Sequence, residues 1–177
     1  MKAIFSILLA FLLYAEAFST PEIIPFGKNG KFKMLYDARQ RPQSVFIKGN
    51  LFVVYNGDAS PTKNEKGKAF PMLISYDSAK RVFSEPVRLS AKSESDHHFS
   101  PIIWADENDH LHVLFGCHRT PGTYLVSNRP VGEQAHVITW KKMPPIATKL
   151  SYPTVYRIYG DKEVIYYRTE GHTSSWT

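Results

Sequence analysis

Residues 100 to 118 read SPIIWADENDHLHVLFGCH: a proline, a short apolar run, a polar turn, and a second apolar run that closes on an aromatic. Apolar runs this short, rich in β-branched and aromatic residues and bounded by turn formers, are the pattern of two strands joined as a hairpin. The same order occurs in RPQSVFIKGNLFVVYNG (41 to 57) and in YPTVYRIYGDKEVIYYRTEG (152 to 171). From proline to closing aromatic is 13 residues for Pro42 and Tyr55, and 14 for both Pro101 with Phe115 and Pro153 with Tyr167. The prolines themselves lie 59 and 52 residues apart.

The first two hairpins are followed by further short strand-like runs, FPMLISYD with RVFSEPVRLS and GTYLVSN with HVITW. Repeats of this length, each one a small meander, predict an all-β β-propeller, one blade per repeat. A β-sandwich also has many short strands, but has no reason to repeat one hairpin at this interval. Propellers close with at least four blades. Two nearly complete repeats and the opening of a third therefore predict the amino-terminal part of a longer propeller, residues 20 to 177.

The first nineteen residues, MKAIFSILLAFLLYAEAFS, stand apart from the repeats. Lys2 precedes an apolar run from Ala3 to Tyr14, and Ala15-Glu16-Ala17 has the small-x-small pattern of a cleavage site. The run falls short of the roughly 20 apolar residues of a membrane span. Residues 1 to 19 are thus expected to be a cleaved signal peptide, the mature protein secreted or periplasmic and not held in a membrane. The lone cysteine, Cys117, excludes an internal disulfide framework, so a core must hold the fold. The formal charge of +6 suits a polyanionic partner. The lysines and arginines are scattered rather than clustered with stacking aromatics, so no nucleic-acid partner is expected.

Five of the seven histidines fall between 97 and 118. A hairpin returns to its starting end, so residues before its first strand and after its second become neighbours. His97 and His98 precede Pro101 and His118 follows Phe115, so these converge. His110 and His112 lie near the turn at the other end, on one face of the returning strand, and read as ordinary satisfied strand residues. In the third repeat Tyr152 precedes Pro153 and Arg168 follows Tyr167, which brings a phenol and a guanidinium to the equivalent end of the next blade. Singly each has a bland explanation; the recurrence at matched repeat positions makes them candidate site residues.

This set lacks the carboxylate pair that ordinary glycoside hydrolysis requires. It suits β-elimination on a uronic acid sugar instead. A guanidinium paired with the uronate carboxylate stabilises the charge that develops when the neighbouring carbon loses its proton. A neutral histidine can accept that proton, while a tyrosine can donate to the leaving oxygen or act as the base; the assignment between His98 and Tyr152 stays open.

At these residues the chain resembles the BNR-4 repeat family, which includes ulvan lyases of the seven-bladed propeller type. DHHFSP, HLHVLFGCH, SYP and VIYYR match in the family's order, across roughly residues 40 to 177. The resemblance implies a secreted polysaccharide lyase acting on an acidic, uronate-containing glycan, sulfated or not, with about two and a half of seven blades present here. It implies that His98, in the H-x-x-P position, and His118 line the groove, that Tyr152 is an acid/base residue, and that Arg168 neutralises the carboxylate. His97 is displaced by one position. No cofactor is implied for the chemistry. Some such lyases hold a structural metal through residues soon after the arginine, where His172 is one candidate ligand. The alternatives are a non-catalytic carbohydrate-binding propeller, or a sialidase-like hydrolase; the latter calls for S-x-D-x-G-x-T-W turns, and the sequence contains none.

Overall fold

The computed structural model describes residues 23–24, 43–57, 69–93, 97–132, 137–158, 162–169 and 174–177. The expected leader over residues 1 to 19, Pro42 of the first repeat and His172 lie outside these. Within them the chain is all-β: twelve strands in three antiparallel sheets, with one 3-10 turn at His97–Phe99. Among the described residues no helix is long and apolar enough to cross a membrane.

The first sheet runs β1 (Ser44–Ile47), β2 (Asn50–Gly57) and β3 (Phe70–Asp77), with the short β4 (Val82–Phe83) and β5 (Val87–Arg88) both on the outer edge of β3. The second is β6 (Ile102–Ala105), β7 (Leu111–Phe115), β8 (Thr123–Ser127) and β9 (Trp140–Lys142), in that order. The third is β10 (Ser151–Ile158), β11 (Lys162–Arg168) and β12 (Ser174–Trp176). Each sheet is a meander of consecutive strands, as a propeller blade is. The three are blades of an unclosed propeller.

Turn chemistry fixes the hairpins. Ile47 pairs with Asn50, leaving Lys48 (φ 47°) and Gly49 (φ 76°) as a two-residue turn with both angles positive, which matches strand twist. In the second blade Asp106 Oδ1 accepts hydrogen bonds from the Asn108 and His110 amides, at 2.9 and 2.8 Å, closing a longer turn. An ion pair of 2.9 Å between Lys48 Nζ and Asp109 Oδ2 connects these two turns across adjacent blades.

The core lies between the sheets. Phe52, Val54 and Leu73 of the first blade pack with Ile103, Leu111, Val113 and Phe115 of the second. The other face of the second blade, Ile102, Trp104 and Leu114, packs with Tyr167 of the third, together with Val155 and Ile165. Alternation with period two thus sends successive residues of one strand into two different cores. This is why IIW and VLF are apolar without a break: a blade sandwiched between neighbours has no solvent face.

Three expectations shift. Residues 137 to 139 of the run HVITW are not strand and β9 starts at Trp140, and the third repeat carries a third strand, Ser174–Trp176, rather than its hairpin alone. Tyr152 is not in front of β10 but inside it, at an irregularity where the register jumps between Ser151 and Thr154.

Candidate active site

His98 sits in the 3-10 turn that leads into β6, and His118 follows β7. The Gly116 amide donates to Phe99 O at 3.1 Å, which holds the end of β7 against that turn. Asn56, at the end of β2, donates from Nδ2 to Ser100 Oγ at 2.9 Å and ties the first blade to the same segment.

The loop after β7 is bent sharply by Gly116 (φ 72°), Arg119 (φ 61°) and Gly122 (φ 68°). Thr120 bridges Leu150, the Leu150 amide donating to Thr120 O at 3.0 Å. The Arg119 amide donates to Ser151 Oγ at 2.8 Å, and Ser151 is fully buried. These bonds join the loop bearing His118 to the first residues of β10. The next residue, Tyr152, has φ 52°, a left-handed conformation that costs energy for any residue with a Cβ. The register jump around it is a bulge-like irregularity, of the kind that turns a side chain out of the ladder next to functional sites.

The four predicted side chains come together. The rings of His98 and His118 lie 4.4 Å apart between centroids, and Tyr152 lies 5.5 Å from His98 and 5.8 Å from His118. The guanidinium carbon of Arg168 sits 4.3 Å above the centroid of the Tyr152 ring. Arg168 ends β11 and pairs in register with Ser151, so backbone pairing sets that stack. Phe99 borders the group, edge-on to His118 at 5.9 Å. All four site residues are half-buried, reachable from solvent yet packed enough to hold position.

Cys117, beside His118, points into the core instead. It is 1% exposed, and burial pushes its thiol pKa up, which removes thiolate character and makes it a packing residue.

His110 and His112 stay apart from this cluster. His110 Nδ1 meets Ser127 O at 2.9 Å. His112 belongs to an aromatic stack facing the third blade, 5.0 Å from Trp104 and 5.8 Å from Tyr124. Its Nδ1 meets Tyr124 Oη at 2.6 Å and its Nε2 meets Asp106 Oδ2 at 3.1 Å. Trp104 Nε1 donates across the blades to Glu163 Oε2 at 2.8 Å. The Tyr124 phenol is pushed up to about 12 by burial and by the Glu163 and Asp106 carboxylates. Burial acts to raise Asp106 as well, but the hydrogen bond from His112, the His110 amide and the charge of His112 outweigh it, so its carboxyl lies below the usual range. Sequence reasoning missed this network, and it gave Ser151, which lies within the SYP match, no role. Among the described residues no group of three His, Cys, Asp or Glu could hold a metal.

Propeller blades whose ends gather two histidines, a tyrosine and an arginine define a propeller-type chain with a basic, aromatic site at one end of its blades. The chain belongs to the BNR repeat-containing family, whose profile matches residues 72–176. No curated protein matches it. Among solved structures it is similar to a PL25 polysaccharide lyase, an ulvan lyase bound to -[GlcA(1-4)Rha3S]-, with TM-score 0.67 and 18% identity over 88% of this chain and 38% of that one. Another PL25 ulvan lyase structure gives TM-score 0.61 at 19% identity over 78% and 34% of the respective chains. The polysaccharide lyase Uly1 gives 0.55 at 12% over 86% and 40%. At such identities the likeness is one of fold, and the chain spans well under half the length of each.

Proposed function

We propose that this chain forms part of a secreted polysaccharide lyase that cleaves an acidic, uronate-containing glycan by β-elimination, a sulfated glucuronate–rhamnose polymer being the leading substrate. The observation that carries the reading is the stack of Arg168 on Tyr152, with His98 and His118 packed on the same phenol ring. The leader over residues 1 to 19 supplies the export, and the polymer bound by the similar ulvan lyase supports the choice of substrate.

In this reading Arg168 pairs with the uronate carboxylate through its planar fork. The carbon bearing that carboxylate is thereby brought to the Tyr152 side of the site, and Tyr152 takes its proton. The electron pair left behind passes through the enolate, whose charge Arg168 stabilises, into a new carbon–carbon double bond. The glycosidic carbon–oxygen bond β to the carboxylate breaks, and His98 delivers a proton to the departing oxygen. His118 fixes the His98 ring and Tyr152 together. No water is consumed, and the new chain end carries an unsaturated uronate.

The test is incubation of the full-length protein with ulvan and other polyuronates, read by the ultraviolet absorbance of the unsaturated end. Absence of product on every polyuronate overturns the lyase. Retained binding without turnover, weakened by His98→Ala or Tyr152→Ala, would place the same cluster in a carbohydrate-binding propeller.

A further inference from the structure

We infer that Ser151 is a positioning residue whose hydroxyl holds Tyr152 and the His118 loop at a fixed separation, an inference that rests on the lyase reading above. Three of the four site residues connect to it. Tyr152 is its neighbour in the chain. Arg168 is its partner in the ladder between β10 and β11. The Arg119 amide, one residue beyond His118, donates to Ser151 Oγ at 2.8 Å. His98, the fourth, reaches it through the His118 ring, 4.4 Å away between centroids. Ser151 is 0% exposed, so its hydroxyl does not touch substrate and acts only through these neighbours.

The backbone beside that hydroxyl is where regular pairing gives out. After Ser151 the register with β11 jumps to Thr154, so Tyr152 and Pro153 together oppose Tyr167. Among the described residues Tyr152 is the one non-glycine of positive φ inside a strand; Lys48, Arg81, Asp109 and Arg119 lie in turns or loops. Such a conformation persists only while its surroundings over-determine it. Two bonds join the His118 loop to the start of β10. The Leu150 amide donates to Thr120 O at 3.0 Å, a backbone bond that survives a change of side chain at 151. The bond from the Arg119 amide depends on an oxygen at 151, and losing that acceptor leaves the amide without its partner. Reacting groups placed by such contacts are sensitive to shifts of about 1 Å.

The experiment compares wild type, Ser151→Ala and Ser151→Cys as full-length proteins, at a temperature where melts show all three folded. Alanine removes the hydroxyl; cysteine keeps the space filled with a sulfur that is only a weak acceptor. Both should lower kcat on a sulfated glucuronate–rhamnose polymer by roughly 10–10²-fold. KM should stay within about twofold, because the backbone pairing that places Arg168 survives both changes. A second readout needs no substrate: the ring Cε1–H resonances of the isotopically labelled histidines. Those of His98 and His118, which pack on each other and on Tyr152, should shift in both variants. Those of His110 and His112, at the other end of the blade, should stay. A lowered Tm with kcat retained, full kcat in Ser151→Cys, or a raised KM with kcat retained overturns the inference. So does movement of all four resonances, or of none. Should wild type yield no unsaturated product from any polyuronate, the lyase reading fails by itself. The histidine resonances then decide for Ser151: selective movement of His98 and His118 supports its positioning role, and any other pattern overturns it.

Discussion

Arg168 lies over the face of Tyr152, its guanidinium carbon 4.3 Å from the ring centroid, and the two residues are held there by the pairing of Ser151 with Arg168 across β10 and β11. A fixed cation against a phenol, with two imidazoles on the same ring, is an arrangement whose parts can be removed one at a time.

Replacing Tyr152 with Phe keeps the ring under Arg168 and against both histidines, and removes only the hydroxyl. Elimination should slow by about 10²–10⁴-fold, the usual scale of a proton-transfer group, with Tm unchanged within experimental error. Product formation and a thermal melt of the same preparation check both halves.

Arg168→Lys retains the charge but loses the planar fork and its stacking on Tyr152. The rate should fall by roughly 10²-fold, in the range seen when one donor to a developing oxyanion is lost. A lysine variant that retains full activity would mean that charge alone suffices and that the fork plays no part.

The bond from Trp104 to Glu163 is a direct polar tie between the second and third blades. Trp104→Phe leaves the Glu163 carboxylate without that donor and should cost about 1.5–3 kcal/mol, the scale of hydrogen bonds to charged groups. A Tm several degrees lower is expected. The Michaelis constant should not move, since neither residue belongs to the candidate site.

Stability should respond to pH at both ends through the stack around His112. The Asp106 carboxyl is lowered in the folded protein, so its contribution is present above the unfolded carboxylate range near 4 and is lost as pH falls through its folded value. The Tyr124 phenol is raised to about 12, so its contribution is present below the unfolded value near 10 and is lost as pH rises towards 12. Tyr124→Phe should flatten the alkaline limb and leave the acid limb in place. Thermal melts across both ranges read this.

Gly122 shares the loop that carries His118. It has φ 68°, and a Cβ there would overlap the Cys117 sulfur and lie 2.8 Å from Phe115 O. Gly122→Ala should therefore destabilise by at least the roughly 1–3 kcal/mol of a strained backbone and shift the His118 loop. Both Tm and activity should fall, in contrast to Tyr152→Phe.

The hairpins were legible because the short apolar runs between Pro101 and Phe115 and the turn formers around them are local signals. The meeting of His98, His118, Tyr152 and Arg168 was legible for a related reason: a hairpin must return to its start, so residues flanking matched repeats share one end. What escaped depends on how one sheet sits on the next. The Trp104–Glu163 bond joins residues 59 positions apart in different blades, and no pattern along either strand announces it. The left-handed Tyr152 looked like a residue ahead of a strand, because a proline follows it and nothing local marks the register jump. The late start of β9 at Trp140 escaped as well: Ile138 packs against the core without forming a strand, and Val137 beside it is exposed.

The most direct test is product analysis of the full-length protein acting on a sulfated glucuronate–rhamnose polymer, with ultraviolet absorbance and new reducing ends counted together. β-Elimination at the Tyr152–Arg168 site predicts one unsaturated uronate per cleavage, formed about 10²–10⁴-fold more slowly in Tyr152→Phe. Cleavage that yields saturated ends, or unsaturated product undiminished in Tyr152→Phe, would contradict it.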